Sequence, residues 1–320
     1  MRIGQLVNFL LGALLPCFLL LARLALAEPF AVDLTHPMPT FLGTEADPTR
    51  ADLARPHRSS EPIPSFGAQT SYQIAPYFET GQGHFYAGQV IWSEHHGTHL
   101  DTPSHYRNDK QTLESDKPDT RTIDQLSVDD LVGPVVFIDI SARVQAELAK
   151  NAGKPSPDTQ VTDFSNSSAG VVTAGDLDAI RDQLRNRSWI VVRSGWSRFY
   201  SGTSFENSPY INGWNHPGFN KRACDRLIEI ENERGIRVNG IAMDNIAIDS
   251  GENSNGKGEF RHGFHCHVRG LQRGWKLAEN LTNLDSLARA RPGSCTLVVG
   301  APKHIAGSGG PARVIALCER

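Results

Sequence analysis

The sequence predicts a mixed α/β fold, a single domain over residues 28–320 with a mixed sheet or barrel-like core flanked by helices. Three observations predict it. Short apolar runs at Val135–Ile140 and Trp189–Arg193 have the length and β-branched content of buried strands. Lys221–Arg234 places Ala223, Leu227, Ile228 and Ile230 at helical spacing, with Gly235 at the C-cap position. Strand-like and helix-like segments interleave, through connections too irregular for a clean βαβ array. The composition agrees: 320 residues, 39% hydrophobic and 21% charged, are those of an ordinary globular chain and too apolar for disorder. A formal net charge of −3 supplies no basic surface for a nucleic-acid partner.

Met1–Ala27 begins with Arg2, continues through an apolar stretch from Leu6 to Ala22, and ends in Ala25-Leu26-Ala27. That is the anatomy of a secretory signal peptide cleaved near Ala27. An uncleaved anchor is the alternative, but Pro16 and Arg23 leave the stretch short of the roughly 20 apolar residues a span prefers. The expected destination is a periplasm or the cell exterior, with no stable membrane association after cleavage. Phe30–Thr35 follows as a short strand. Residues 51–85 are polar, with scattered aromatics, and read as long loops. Gln89–Glu94 is a weakly alternating strand. Leu177–Leu184 is helical after Thr173–Asp176, Val238–Ile241 is a strand, and Asn283–Ala290 is a short helix. Cys295–Val299 and Val314–Cys318 flank a turn around Gly307 at equal distance. A hairpin there brings Cys295 opposite Cys318, as a disulfide or as two free buried thiols.

The histidines carry the chemistry. Glu94-His-His-Gly-Thr-His-Leu-Asp-Thr-Pro-Ser-His105 places His95, His99, Asp101 and His105 at odd positions, which share one face of an extended chain. Gly97, Thr98 and Pro103 disfavour a helix. A straight strand would hold His95 and His105 about 33 Å apart, so the chain must bend, at Gly97 and Pro103, if all four serve one site. His95, His99 and Asp101 form a close set, and two imidazoles with a carboxylate suit Zn²⁺, Mn²⁺ or Fe²⁺. A helical zincin is excluded because His96 stands where a glutamate is needed. No Gly-x-Ser-x-Gly elbow is present. Gly307-Ser-Gly-Gly-Pro-Ala312 comes near a dinucleotide fingerprint, but precedes a strand rather than opening a helix.

The stretch from His95 to His105 resembles the signature of the cyclase family of metal-dependent hydrolases, which includes bacterial kynurenine formamidase and isatin hydrolase. Asp33–Pro37, Leu131–Asp139, Val192–Trp196, Gly240–Asp244 with Ile248-Asp249, and Glu279–Leu287 are similar to further family segments in the same order. The resemblance implies the swivelling β/β/α fold of that family. It implies metal binding by His95, His99 and Asp101, and by His267 and Glu279, which have the family's twelve-residue spacing. It also implies His105 as proton carrier, one or two Zn or Mn ions per chain, and a homodimer or larger assembly. Glu279 is expected at the entry to the closing helix. His262 and His265 are pocket or surface residues on this reading. Trp196, Phe85 and Tyr86 form either a wall for a flat substrate or ordinary core.

The expected function is hydrolysis of a small amide, cyclic amide or lactone by metal-activated water. Cyclisation or dehydration on the same scaffold and a non-catalytic secreted binding protein are the alternatives.

Overall fold

The structure is a computed structural model and describes residues 28–37, 73–75, 89–91, 94–106, 118–200, 208–254 and 263–320. Residues 1–27, expected as a signal peptide, and most of the stretch 51–85, expected as long loops, lie outside the described residues.

The strands are β1 (Pro29–Asp33), β2 (Gln73–Ala75), β3 (Gln89–Ile91), β4 (His99–Asp101), β5 (Val132–Asp139), β6 (Trp189–Arg193), β7 (Gly240–Met243), β8 (Lys276–Glu279), β9 (Thr296–Gly300), β10 (Gly309–Pro311) and β11 (Arg313–Glu319). Nine of them form one curled mixed sheet in the order β1-β11-β9-β5-β6-β7-β8-β4-β10. β5 to β8 run parallel, and all other pairings in the sheet are antiparallel. Parallel neighbours need crossovers, and helices supply them. α1 (Ser141–Ala149) and α2 (Ala174–Ile180) join β5 to β6, α3 (Lys221–Arg234) joins β6 to β7, and α4 (His265–Gln272) joins β7 to β8.

Both faces of the central strands are buried, which explains why their sequences read as apolar runs. Ile190, Val192, Ile241, Met243 and Leu277 pack against the helices. Trp189, Val191, Ala242 and Ala278 face the other way, against Val32, Leu297, Val299, Val314 and Ala316 of β1, β9 and β11. The sheet thus curls over one core and carries helices outside the other.

Most expected elements are present with shifted ends. The helix Lys221–Arg234 and the strand Trp189–Arg193 have the expected bounds. The helix expected from Leu177 starts earlier, at Ala174, because Thr173 and Asp176 form a capping box, and it tightens to a 3₁₀ turn at Arg181–Gln183. The short helix near Asn283 is a 3₁₀ segment, Leu284–Arg289. Glu279 ends strand β8 rather than opening a helix, because β8 is held between β7 and β4. The terminal segment is not a simple hairpin: β9 and β11 pair antiparallel, but the connection between them carries β10 out to β4.

Cys295 and Cys318 are bonded, with Cα atoms 4.1 Å apart. Thr296 pairs with Leu317, so the adjacent cysteines stand opposite each other. Cys224 on α3 and Cys266 on α4 are buried thiols. The disulfide closes a sequence separation of 23 residues, for which chain entropy gives about 3 kcal/mol. Replacing both Cys295 and Cys318 with serine should lower unfolding stability by about that amount. Denaturant titration checks it, with unchanged far-UV circular dichroism expected for the native fold.

Candidate metal centre

Strand register builds the site. β4 pairs with β8 so that His99 lies opposite Glu279 and Leu100 opposite Ala278. Leu100 and Ala278 turn into the core shared with β1, β9 and β11. Period-two alternation therefore sends His99, Asp101 and Glu279 to the helix-bearing face. Gly97, at φ 60°, makes the bend that returns His95 to the same place. Pro103–Tyr106 forms a 3₁₀ turn that folds His105 back. The His105 ring then stacks on His95 at 3.9 Å between centroids and 29° between planes. The bends expected at Gly97 and Pro103 are thus both present. α4 contributes His267 from its first turn.

Five side chains converge. His95 Nδ1 lies 2.6 Å from Asp101 Oδ1, and His99 Nε2 lies 3.2 Å from the same oxygen. His267 Nε2 lies 3.1 Å from Glu279 Oε1 and 3.5 Å from Asp101 Oδ2. His99 Nε2 and Glu279 Oε2 are 3.6 Å apart. The donor atoms form two triads, His95–His99–Asp101 and Asp101–His267–Glu279, each within 4.8 Å and both using Asp101. Imidazole nitrogens mixed with carboxylate oxygens suit a divalent transition metal. This donor set could hold such an ion, and Asp101 is common to both triads.

The nitrogens turned away from the centre are also held. His99 Nδ1 lies 2.9 Å from the Gly97 carbonyl oxygen and donates to it. His267 Nδ1 lies 2.7 Å from Asp249 Oδ2. Asp249 also accepts the backbone N–H groups of Cys266 and His267 at 2.7 and 3.1 Å, so it fixes the first turn of α4 and the ring it carries together. Glu279 Oε1 accepts the Ile248 N–H at 2.8 Å. Partners of this kind fix ring orientation and leave the inward nitrogen for a metal.

The electrostatics follow from burial. For Asp101, burial favours the neutral acid, but His95, His99 and His105 hold the carboxyl well below its usual range. For His99, burial opposes the charge, and Asp101 with Glu279 overcomes it and raises the group to about 8. Burial likewise opposes the charge on His267, which Glu279, Asp101 and Asp249 raise well above the ordinary value. His105 behaves differently. Burial, with the neighbouring imidazoles, outweighs the attraction of Asp101 and lowers it to about 3. Without a metal the centre holds protons on His99 and His267 near pH 7, while His105 is neutral.

The structure brings together His95, His99, Asp101, His105, His267 and Glu279. It does not bring Trp196 there. That residue is fully buried against Phe164 and Phe199, and its Nε1 donates to the Tyr210 carbonyl at 2.7 Å, so it belongs to the core. Phe85, Tyr86 and His262 lie outside the described residues. His265 turns to Asp225, with Nε2 2.8 Å from Oδ1. Tyr106, Phe264 and Ala247 line the same small, closed pocket as the donors and His105, and the sequence reading names none of them. The Tyr106 ring packs 6.0 Å from Phe264 and 5.7 Å from His267. Tyr106 directly follows His105, the one local signal that could have pointed to it.

No curated protein matches the sequence. Among solved structures, isatin hydrolase A from Ralstonia solanacearum is 22% identical with a TM-score of 0.62, covering 95% of this chain and 97% of that one. Isatin hydrolase A from Labrenzia aggregata, bound to benzyl benzoate, is 21% identical with a TM-score of 0.60, covering 95% and 100%. An isatin hydrolase bound to the product analogue thioisatinate is 20% identical with a TM-score of 0.60, covering 100% of both chains. At these identities the likeness is one of fold. The family profile described as Putative cyclase matches residues 32–250, which take in the whole stretch from His95 to His105. With that match over more than half its length, the chain belongs to the Cyclase family.

Proposed function

We propose that the protein is an exported, metal-dependent hydrolase that opens a small amide, cyclic amide or lactone. Aryl-formamides and isatin-like rings are the first substrates to try. The observation that carries this reading is the convergence of His95, His99, Asp101, His267 and Glu279 beside a neutral, stacked His105. Family membership supports it, as do fold relatives whose names specify isatin hydrolysis. The Cys295–Cys318 disulfide supports export, since such bonds persist in oxidising compartments. The same reading takes residues 1–27 as a cleaved signal peptide and the working form as a homodimer or larger.

His95, His99, Asp101, His267 and Glu279 would hold the ion, Zn or Mn. When bound, such an ion supplies Lewis acidity toward a carbonyl and lowers the pKa of water toward about 7. The chain supplies the rest. His105, neutral at the working pH, takes a proton from the attacking water and passes it to the leaving nitrogen or oxygen. Tyr106 stays protonated, because burial raises its phenol, and with Phe264 it offers an aromatic wall to a flat ring.

Metal analysis alongside a screen of N-formylkynurenine, isatin, simple lactones and imides tests the proposal. Wild type should hold one or two divalent ions and turn over at least one of these compounds. Asp101→Ala should lose the metal. His105→Ala should keep it and lose about 10²–10⁴-fold in kcat. A wild-type protein that binds no metal after incubation with Zn²⁺ or Mn²⁺ refutes the assignment.

A second prediction follows from the protons. His99 in the metal-free protein sits at about 8 against an ordinary 6.5. Its stabilising contribution is therefore complete below about pH 6.5 and is lost as pH rises through about 8, a change of about 2 kcal/mol. Denaturant unfolding of metal-free protein from pH 6 to 9 should show this fall. Metal uptake near pH 7 should release protons, visible by calorimetry in buffers of different ionisation enthalpy.

A further inference from the structure

The glycine-rich run Gly307–Ala312 has no place in the site as described so far, yet it lies against His95. A Cβ at Gly309 would stand 2.7 Å from His95 Cε1 and 2.5 Å from the Leu100 carbonyl oxygen, so only glycine allows this approach. The neighbouring Ser308 is thereby brought to His95, with its Oγ 2.9 Å from Nε2. The same hydroxyl donates to Glu94 Oε2 at 2.6 Å, and that oxygen also accepts the Ser308 backbone N–H at 2.9 Å. Glu94 Oε1 lies 2.6 Å from His304 Nε2 at the surface.

Counting hydrogens fixes the direction of this chain. A backbone N–H can only donate, so Glu94 Oε2 is an acceptor. A serine hydroxyl has one hydrogen, and here it goes to Oε2. Ser308 Oγ can then only accept from His95, which puts a proton on Nε2. Nδ1 faces Asp101 Oδ1 at 2.6 Å. A nitrogen and a carboxylate oxygen this close need a hydrogen or a metal ion between them, and with Nε2 already protonated the metal ion is the one that leaves the ring neutral. The competing arrangement has the proton on Nδ1, donated to Asp101, and it would take both groups out of metal binding.

We infer that Glu94 and Ser308 are positioning residues that hold His95 as its Nε2–H tautomer, so that Nδ1 is offered with Asp101 to a divalent cation. The inference rests on the metal-centre reading above and adds two residues, acting in series, that touch neither metal nor substrate.

Zn²⁺ affinity measured by chelator competition on the full chain tests it, with imidazole ¹⁵N NMR of the loaded protein as a second readout. Ser308→Ala, a near-isosteric change, should weaken Zn²⁺ binding about 10–100-fold, and Glu94→Ala by a similar factor. The double variant should be no weaker than Ser308→Ala alone, because one residue acts through the other. The NMR spectrum should show His95 bound through Nδ1 and protonated at Nε2. A natively folded Ser308→Ala protein with wild-type affinity, or His95 carrying its proton on Nδ1 in the loaded wild type, overturns the inference and leaves the metal centre standing. Wild type without metal uptake, or Asp101→Ala binding as tightly as wild type, overturns the metal centre and the inference with it.

Discussion

Asp101 and Glu279 are two buried carboxylates drawn to one point, and their ion-pair partners among the described residues are all imidazoles. Burying such charges is costly unless they are paired. Imidazole can meet that need with a proton or, by giving the proton up, with a metal, whereas lysine or arginine would neutralise the carboxylates permanently. The surrounding fold serves this constraint. The β4–β8 register sets His99 against Glu279, and α4 delivers His267 from the other side. The sequence separation between these pieces means that the centre forms only when the sheet closes.

That separation also decides what was legible in the sequence. Residues 95–105 are local, so alternation placed His99 and Asp101 on one face, and Gly97 and Pro103 marked the bends that bring His95 and His105 back. His267 and Glu279 came from family spacing, not from any local pattern. Helix α4 was not anticipated, because His265-Cys-His-Val has little helix propensity and its first turn is held by Asp249, remote in sequence. Helix α1 has no expected counterpart either, although Ser141–Ala149 is rich in helix formers. Trp196, open in the sequence between pocket wall and core, belongs to the core. An aromatic residue just past a buried strand has the same sequence appearance whether it lines a pocket or, as here, fills the core and spends its N–H on a carbonyl.

The contrast between His105 and its neighbours comes from position. His99 and His267 each touch carboxylates and are raised, whereas His105 is lowered, by its burial first and then by the imidazoles around it. One cluster therefore contains rings that carry protons near pH 7 and a ring that is neutral there at rest. Binding an ion and moving a proton, the two roles proposed here, call for such a difference, and one residue type supplies it through different contacts.

The three metal-facing histidines solve one problem with different partners. His99 gives its outer proton to the Gly97 carbonyl and His267 gives its own to Asp249. A carbonyl or a carboxylate held by backbone N–H groups can only accept, so those tautomers are set without further help. His95 meets a hydroxyl, which can donate or accept and by itself sets nothing. Glu94 removes that ambiguity by taking the hydroxyl hydrogen, and the Ser308 backbone N–H on the same oxygen keeps Glu94 an acceptor. Gly309, next to Ser308, is what the close approach to His95 demands, so part of a run with the look of a nucleotide loop is explained by the ring it touches.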